Sequence, residues 1–228
     1  MKIKILYSIE QAGEARGLTV VIDVFRAFST ACYVFANGAK KIIPVDDIEL
    51  AYKLKRDNPN FILMGERGGR IQPGFDFGNS PADILNVDFT GKTIVQTTSA
   101  GTQGLVGANK AEIIITGSFV NAGACVKYVK DRGFQEIFLL STDPTPGKNE
   151  DILCAEYMRS MLQGQDADFS KIVGDLKAGG HADKFLDPEN KDHPEADLPL
   201  CLTLNKFDFI LKVEGRGEGL LYLKKVKV

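Results

Sequence analysis

The chain has 228 residues, enough for one large domain or two small ones, and for a substantial hydrophobic core in either case. Apolar residues make up 44% of the chain and charged residues 25%, a composition typical of soluble globular proteins and not of disordered ones. The 28 basic and 30 acidic residues give a formal net charge of -2, which disfavours a general binder of nucleic acid or of anionic membranes.

The distribution of apolar residues and cysteines predicts the cellular compartment of the protein. No stretch approaches the roughly 18 to 20 apolar residues of a membrane span, and the N-terminal run is too short for a secretory signal. Cys32, Cys125, Cys154 and Cys201 are widely spaced in apolar runs, as is typical of buried, reduced thiols. We therefore expect a cytoplasmic protein without disulfide bonds that binds neither membranes nor nucleic acid. A homo-oligomer remains possible.

Short runs rich in β-branched residues alternate along the chain with segments of helical periodicity. The predicted strands are 4–7, 18–24, 41–45, 61–64, 92–97, 112–116 and 136–141. The predicted helices are 30–37, 47–56, 81–85, 102–108, 121–131 and 151–162. This alternation predicts an α/β fold with three α/β/α layers around a largely parallel or mixed sheet, because unbroken apolar strands are covered on both faces.

The last quarter of the sequence has a different character. Residues 163–199 are polar and rich in glycine and proline, and they predict a loop with one or two short helices. Strands predicted at 207–213 and 220–226 are joined by EGRGEG, which favours a C-terminal β-hairpin. Since the chain shows no internal repeat and no clean linker, we predict one domain over residues 1–228.

Polar clusters follow five of the predicted strands, where each strand gives way to a helix. They are DVFRAFST (23–30), GERGGR with PGFDFGNSP (65–81), TTSAGT (97–102), GSFVN (117–121) and ED (150–151). The carboxyl ends of parallel strands form the ligand crevice of an open α/β sheet. The sequence therefore predicts that these five clusters converge on one site.

The residues of these clusters suit an anionic substrate. Hydroxyl groups and backbone N–H groups at helix starts bind phosphate-like anions. The residues predicted to do so are Ser29, Thr98, Ser99, Gly101, Thr102, Ser118 and Asn121. Arg26, Arg67 and Arg70 add forked donors that match carboxylate, phosphate or sulfonate oxygens.

The same clusters contain carboxylates that an anion by itself would repel. Asp23, Glu66, Glu150 and Asp151 offer the hard oxygen ligands that Mg²⁺ takes, usually one or two carboxylates completed by water and substrate oxygens. Carboxylates beside anion donors therefore predict a metal-assisted phosphoryl site.

The hydroxyl-bearing clusters also have a purely structural interpretation. Thr98, Ser99 and Thr102 could simply cap one helix, and Ser118 and Asn121 could cap another. The GERGGR loop has the weakest such interpretation, because three charges among three glycines serve neither packing nor regular structure.

Simple structural roles are open for the charged residues as well. Glu150 and Asp151 could stand in a first helical turn only because acids favour the helix dipole there. Asp23 could form an ion pair with Arg26. The two histidines, His181 and His193, lie in the polar late segment and are predicted to be surface residues.

Six segments resemble the Mg²⁺-dependent 2-phosphosulfolactate phosphatases, in order and at the family's spacing, over roughly the first 165 residues. They are DVFRAFST (23–30), ANGAKKIIPV (36–45), GERGGRIQPGFDFGNSP (65–81), TTSAGT (97–102), GSFVNA (117–122) and EDILCA (150–155). The long segment 65–81 is the most specific of them. Ala100 departs from the expected Asn, and Glu156 departs from an expected small residue.

The resemblance implies hydrolysis of 2-phospho-3-sulfolactate to 3-sulfolactate and phosphate, a step in coenzyme M biosynthesis. Two alternatives stay open: a phosphatase for another phosphorylated 2-hydroxy acid, and a non-catalytic protein that binds a polyanion. In either enzyme the partner is a small anionic phosphoester.

The resemblance also suggests roles within the site. Asp23, Glu66 and one of Glu150 or Asp151 would bind Mg²⁺, and Asp23, Arg26 and Glu66 would be catalytic. Arg26 and the 98–102 turn would hold the phosphoryl group. Arg67, Arg70 and Asn79 would bind the carboxylate or sulfonate. The attacking group would be a water molecule or a side chain such as Ser29 or Asp23.

Overall fold

The computed structural model describes residues 1–143, 145, 147–215 and 219–228. Within them lie the strands β1 (Lys2–Leu6), β2 (Leu18–Ile22), β3 (Lys41–Pro44), β4 (Ile62–Gly65), β5 (Thr93–Thr97), β6 (Ile113–Gly117), β7 (Glu136–Ser141), β8 (Phe209–Glu214) and β9 (Tyr222–Lys227). The helices are α1 (Ala27–Ala36), α2 (Ile48–Asp57), α3 (Gly101–Gly107), α4 (Ala122–Arg132), α5 (Glu150–Leu162), α6 (Phe169–Ala178), α7 (Asp183–Leu186) and α8 (Asp197–Cys201). The predicted strands are all confirmed.

The strands form one mixed sheet in the order β1-β7-β2-β6-β8-β9-β3-β5-β4. The set β1-β7-β2-β6 is parallel, as is the set β3-β5-β4. The antiparallel hairpin β8-β9 joins the two sets and confirms the predicted C-terminal hairpin. Of the joint predicted between its strands, residues 216–218 lie outside the described residues.

Helices cover both faces of the sheet, as the unbroken apolar strands predict. On β2, Ile22 packs into the core formed with α4 and α5, whereas its neighbour Val21 packs into the core formed with α1 and α3. This change of face between adjacent residues is the normal pleat of a strand. On the other parallel set, α2 covers Ile43 and Val95.

Helix α1 lies at the centre of the molecule. Residues 27–35, all but the last of its ten residues, are buried. The same hydrophobic cluster joins α1 to Val21 and Leu140 of one parallel set and to Ile42 and Ile94 of the other. Helix α1 therefore packs across both parallel sets, and loops from both sets lie near its start.

The late polar segment is more helical than predicted. It contains the whole of α6 and α7 and the start of α8, where one or two short helices were expected. Helix α6 spans ten residues because Asp168 caps it, accepting from Lys171 N, and because Leu176 is buried. The predicted helix 81–85 is only a 3₁₀ turn, Ala82–Ile84.

The four cysteines are all buried and free in the structure, which confirms their predicted burial. Among the described residues, no helix has both the length and the apolar character that crossing a membrane demands.

Candidate active site

Two adjoining cavities of about 210 and 180 Å³ lie where the loops after β2, β4, β5 and β7 meet. Both are lined by Asp23, Phe25, Ala100 and Lys184. Four of the five predicted clusters therefore converge on one cleft. The fifth, after β6, contributes no lining side chain from the described residues.

Asp23 follows the fully buried strand β2 and lies at the junction of the two cavities. Its Oδ1 atom accepts a hydrogen bond from Ala27 N at the start of α1, at 2.9 Å. Burial is the main reason that the pKa of Asp23 is raised from 3.8 to about 6, and the charge of Glu66 adds to this shift. Lys184 and the bond from Ala27 act in the opposite direction. A carboxylate so placed favours a cation nearby.

Glu66 follows β4 and holds two loops together. Its Oε1 atom accepts from Ser99 N at 2.7 Å, and Oε2 accepts from Gly69 N at 2.7 Å and from Ser99 Oγ at 2.9 Å. Ser99 Oγ in turn accepts from Gly68 N at 2.9 Å. The GERGGR loop thus owes its shape to its own carboxylate, which also lines the smaller cavity.

Glu150 and Asp151 begin α5, and the structure separates their roles. Asp151 Oδ1 accepts from Val24 N, and Oδ2 accepts from Thr142 N, Thr142 Oγ1 and Asp143 N, at distances from 2.8 to 3.1 Å. Asp151 therefore ties the β2 loop to the end of β7. Glu150 lines the larger cavity, where burial raises its pKa from 4.5 to about 7. Of the two, Glu150 is the better placed to bind a metal.

Lys184 lines both cavities and was missed at the sequence level. It lies on the short helix α7, in the segment predicted to be mostly loop. Its Nζ atom is 4.0 Å from Glu150 Oε1. The same atom lies over the aromatic rings of Phe25 and Phe185, 5.6 and 5.5 Å from their centroids. An ammonium group between acidic side chains can bind an anionic ligand without leaving its aromatic neighbours.

Arg26 pairs with Asp197 and not with Asp23, so the ion pair considered as an alternative is not formed. Its Nη1 atom donates to Asp197 Oδ2 at 2.8 Å and to Asp192 O at 2.9 Å. Asp197 Oδ1 accepts from Ser80 Oγ at 2.7 Å. This buried pair anchors the start of α8 to the start of α1.

His193 is half-buried against the cleft, so its assignment to the surface was wrong. A Cβ atom on Gly69 would lie 2.6 Å from His193 Cε1, which shows how closely the ring covers the GERGGR loop. Burial, followed by the charges of Arg26 and Lys184, lowers the pKa of His193 to about 4. The imidazole is therefore neutral near pH 7.

Several predicted anion donors lie inside the protein, where they form local hydrogen bonds. Ser29 Oγ donates to Val24 O, and Thr98 and Thr102 bond to each other through side chain and backbone. Asn121 Oδ1 accepts from Ser118 N. The capping interpretation therefore describes Ser118 and Asn121, which form a capping box, and the pair Thr98 and Thr102 at the start of α3, whereas Ser29 lies within α1. Neither cavity is lined by any of them.

Gly101 brings α3 close to Asp23. A Cβ atom at Gly101 would lie 2.7 Å from Asp23 Oδ2 and 2.8 Å from Ala27 Cβ. The glycine thus allows the helix to approach the carboxylate, a role distinct from the anion binding predicted for it.

Arg67 and Arg70 lie outside both cavities. Arg67 Nη2 donates to Thr97 Oγ1 at 2.6 Å and to Asp46 O at 3.0 Å, so it supports the loop from behind. The Arg70 side chain is 79% exposed, and its Nε atom is 3.4 Å from Asp192 Oδ2. Neither is positioned for the carboxylate or sulfonate contact predicted for it.

The two departures from the family pattern fall in different places. Ala100 lines both cavities, so the Asn expected there would have been at the cleft. Glu156 lies on α5 within 4.0 Å of Lys148 and Arg159, and it lines neither cavity. Only the first departure bears on the site.

The carboxylates of the cleft could hold a metal ion only together with water or substrate oxygens. Among the described residues, no three His, Cys, Asp or Glu side chains are grouped so that they alone could hold one. Mg²⁺, however, is commonly bound by one or two carboxylates with water and substrate oxygens. Asp23 and Glu150 line the same cavity and meet that requirement, and the mutual repulsion of their charges would be relieved by a cation.

Comparison with known proteins identifies the family. The family model of 2-phosphosulpholactate phosphatase matches residues 4–216. The chain belongs to the 2-phosphosulfolactate phosphatase family. A relative from Bacillus subtilis (strain 168), named a probable 2-phosphosulfolactate phosphatase, is 31% identical over 202 residues, which are 88% of this chain and 89% of that protein. A relative of the same name from Thermoplasma volcanium is 32% identical, over 87% of this chain and 91% of that protein. Another from Caldicellulosiruptor saccharolyticus is 35% identical, over 84% of this chain and 86% of that protein.

Membership of the family confirms the resemblance seen in the six segments, and the predicted class of phosphoric monoester hydrolase. The family match also extends well beyond those segments. It includes the part of the chain that contributes Lys184 and His193 to the cleft. The late polar segment is therefore part of the phosphatase family's own sequence.

Proposed function

We propose that this protein is a Mg²⁺-dependent phosphatase that hydrolyses 2-phospho-3-sulfolactate to 3-sulfolactate and inorganic phosphate. The observation that carries the proposal is the position of Asp23 between a cavity lined by carboxylates and a cavity lined by Arg26, Asn79 and His193. The names of the relatives support the choice of substrate. On the family resemblance alone, we assign the reaction to coenzyme M biosynthesis in the cytoplasm.

Asp23 and Glu150 would hold Mg²⁺, with Glu66 contributing through water because both of its oxygens already accept hydrogen bonds. When bound, the ion supplies positive charge that offsets the charge developing on the transferred phosphoryl group. Asp151 keeps the loops around these carboxylates in place through its bonds to Val24 and Thr142.

Lys184 would bind the phosphoryl oxygens, because its ammonium group faces both cavities. Ser29 is a poor nucleophile here, since it is fully buried and donates to Val24 O. The attack is therefore made by water or by the Asp23 carboxylate. Rapid quenching with ³²P-labelled substrate separates the two: label retained on the protein means that Asp23 attacks, and its absence means that water does.

A phosphatase acting on another phosphorylated 2-hydroxy acid is the second candidate, because carboxylate and sulfonate pockets use the same donors. The test is phosphate release from 2-phospho-3-sulfolactate and from 2-phospholactate, with Asp23→Asn as the inactive control. We expect a higher kcat/KM for the sulfonate-bearing ester. Equal values would overturn the sulfolactate assignment and favour the broader class.

A further inference from the structure

Arg26 stands three residues after Asp23 in the chain, and both line the cavity of about 180 Å³ together with Glu66. A guanidinium group and two carboxylates in so small a space attract each other. An ion pair between them would deprive the substrate of a donor and the metal of a ligand. Arg26 is instead paired with Asp197, the first residue of α8.

Building on the proposed function, we propose that Asp197 is a positioning residue for Arg26. By pairing with the guanidinium group, Asp197 holds it away from Asp23 and Glu66. The two carboxylates then stay available for a cation, and the rest of the guanidinium fork stays available for an anionic oxygen of the substrate. Asp197 itself lines neither cavity, so it acts through Arg26.

The geometry of the pair fixes one nitrogen of the guanidinium group. Arg26 Nη1 donates to Asp197 Oδ2 at 2.8 Å and to Asp192 O at 2.9 Å. Within the described part of the chain, these are the hydrogen bonds that the Arg26 side chain makes, so Nε and Nη2 are left for a ligand in the cavity. The two side chains are 3% and 0% exposed, and burying both charges costs much of what their attraction returns. The orientation of Arg26 is therefore the clearest product of the pair.

Asp197 is itself held from the side opposite Arg26. Its Oδ1 atom accepts from Ser80 Oγ at 2.7 Å and from Ala82 N at 3.0 Å, which ties it to the turn that follows the GERGGR loop. Its backbone N–H donates to Pro194 O at 2.9 Å. The next residue, Leu198, is 5% exposed and packs in the cluster that contains Phe185 of α7. The carboxylate therefore cannot follow the guanidinium group into the cleft.

The main chain around Arg26 is fixed as well, so only the side chain can choose between partners. Arg26 O accepts from Thr30 N at 2.8 Å in the first turn of α1, and Asp23 O accepts from Phe28 N at 3.2 Å. Asp23 is buried close to Glu66 and would attract a released guanidinium group strongly. Without the charge of Asp197, the Arg26 side chain should therefore turn toward Asp23.

The experiment measures the dissociation constant of Mg²⁺ by calorimetry, without substrate, in Asp197→Asn. The amide oxygen can still accept from Ser80 Oγ, but the negative charge is gone, so Arg26 should compete with the ion for Asp23. We expect the Kd to rise roughly tenfold or more. Ser80→Ala is the matched control, because it removes a bond from the other carboxylate oxygen and leaves the ion pair intact. Its Kd should stay at the wild-type value.

Arg26→Gln separates positioning from a general structural effect. In the Arg26→Gln background, Asp197→Asn should leave the Kd of Mg²⁺ unchanged, because no guanidinium group remains to compete. An equal rise in both backgrounds would overturn the proposal, and so would a wild-type Kd in Asp197→Asn. Asp197→Glu keeps the counter-charge and guards against a failure of Asp197→Asn to fold. Its Kd should be close to that of the wild type, and a rise of roughly tenfold would also overturn the proposal.

A failure of the proposed function can be told apart from a failure of the positioning role. If the wild type bound no Mg²⁺, the metal assignment would be wrong, and inorganic phosphate would serve as the probe in the same calorimetric experiment. Asp197→Asn should then weaken phosphate binding where Arg26 is present and have no effect in the Arg26→Gln background. Equal weakening in the two backgrounds would contradict the positioning role.

Discussion

Asp23 is surrounded by groups that make its charge costly. It is buried at the end of β2, near Glu66 and Glu150, and Lys184 is the lysine that lines its cavities within the described part of the chain. A carboxylate whose folded pKa is raised above its unfolded value reduces stability wherever it is ionised. Ionised Asp23 therefore lowers the stability of the fold, and the Mg²⁺ proposed above would offset this cost.

Asp23→Asn tests this trade between stability and function. The amide oxygen can still accept from Ala27 N, while the buried charge is removed. At pH 8 without metal we expect the variant to melt about 2 to 4 °C higher than the wild type, and phosphate release to be lost. The gain should shrink as the pH falls through about 6, because the wild-type carboxyl then becomes protonated. A lower melting temperature at pH 8, in differential scanning calorimetry, would contradict this explanation.

The sequence predicts the carboxylate residues of the site better than its lysine and histidine. Asp23, Glu66 and Glu150 are found from their position after strands, since strand ends converge in α/β folds. Ser118 has the same signature and yet lies in a local cap. Lys184 and His193 lie more than 150 residues beyond Asp23, in a segment without periodicity, so their approach depends on tertiary contacts that no local pattern encodes.

The packing of β4 against β5 beside the site requires a glycine at position 65, the last residue of β4. Its φ of +136° is open only to glycine, and a Cβ atom there would lie within 1.9 Å of Thr97 O on the neighbouring strand. The backbone must pass this close for Glu66 to reach Ser99.

Gly65→Ala should lower the free energy of unfolding by about 3 kcal/mol or more, through backbone strain and the clash with β5. Gly74→Ala is the matched control, since its φ is +75° but nothing lies within 4 Å of the added Cβ. We expect a loss of about 1 kcal/mol there. Urea denaturation measures both, and equal losses would show that the approach of β4 to β5 is unimportant.

The ion pair between Arg26 and Asp197 joins elements 171 residues apart in the chain. Asp197→Asn leaves the buried guanidinium without its counter-charge, so the free energy of unfolding should fall by about 3 kcal/mol. Ser80→Ala removes one of the hydrogen bonds to the Asp197 carboxylate but leaves the ion pair, and should cost about 1.5 kcal/mol. If urea denaturation gave Asp197→Asn no larger an effect than Ser80→Ala, the pair would not anchor the late segment.

At the scale of the whole molecule, loops from both parallel sets of strands line one cleft, and α1 packs against both sets. The alternation of strands and helices was readable from the sequence because buried strands and amphipathic helices have distinct patterns. The order of the strands in the sheet could not be predicted from the sequence, because the C-terminal hairpin β8-β9 lies in the middle of the sheet, between β6 and β3. Such a non-local pairing leaves no mark on the local sequence.

Metal binding should stabilise the whole fold, because the loops bearing Asp23 and Glu150 are folded only in the native state. At pH 8, Mg²⁺ at a hundred times its dissociation constant should contribute about 2.7 kcal/mol, and so raise the melting temperature by at least about 5 °C. The shift should be smaller at pH 5, where protons compete for Asp23 and Glu150. A shift of equal size in Asp23→Asn would place the ion elsewhere.

Phosphate release from 2-phospho-3-sulfolactate, measured with Mg²⁺ and again with excess chelator, tests the central claim most directly. The cleft of Asp23, Glu66, Glu150 and Lys184 predicts release with Mg²⁺ and its loss on chelation, with recovery when Mg²⁺ is restored. Release that survives chelation would contradict the metal assignment. A lack of release under both conditions, from protein that hydrolyses other phosphoesters, would contradict the substrate.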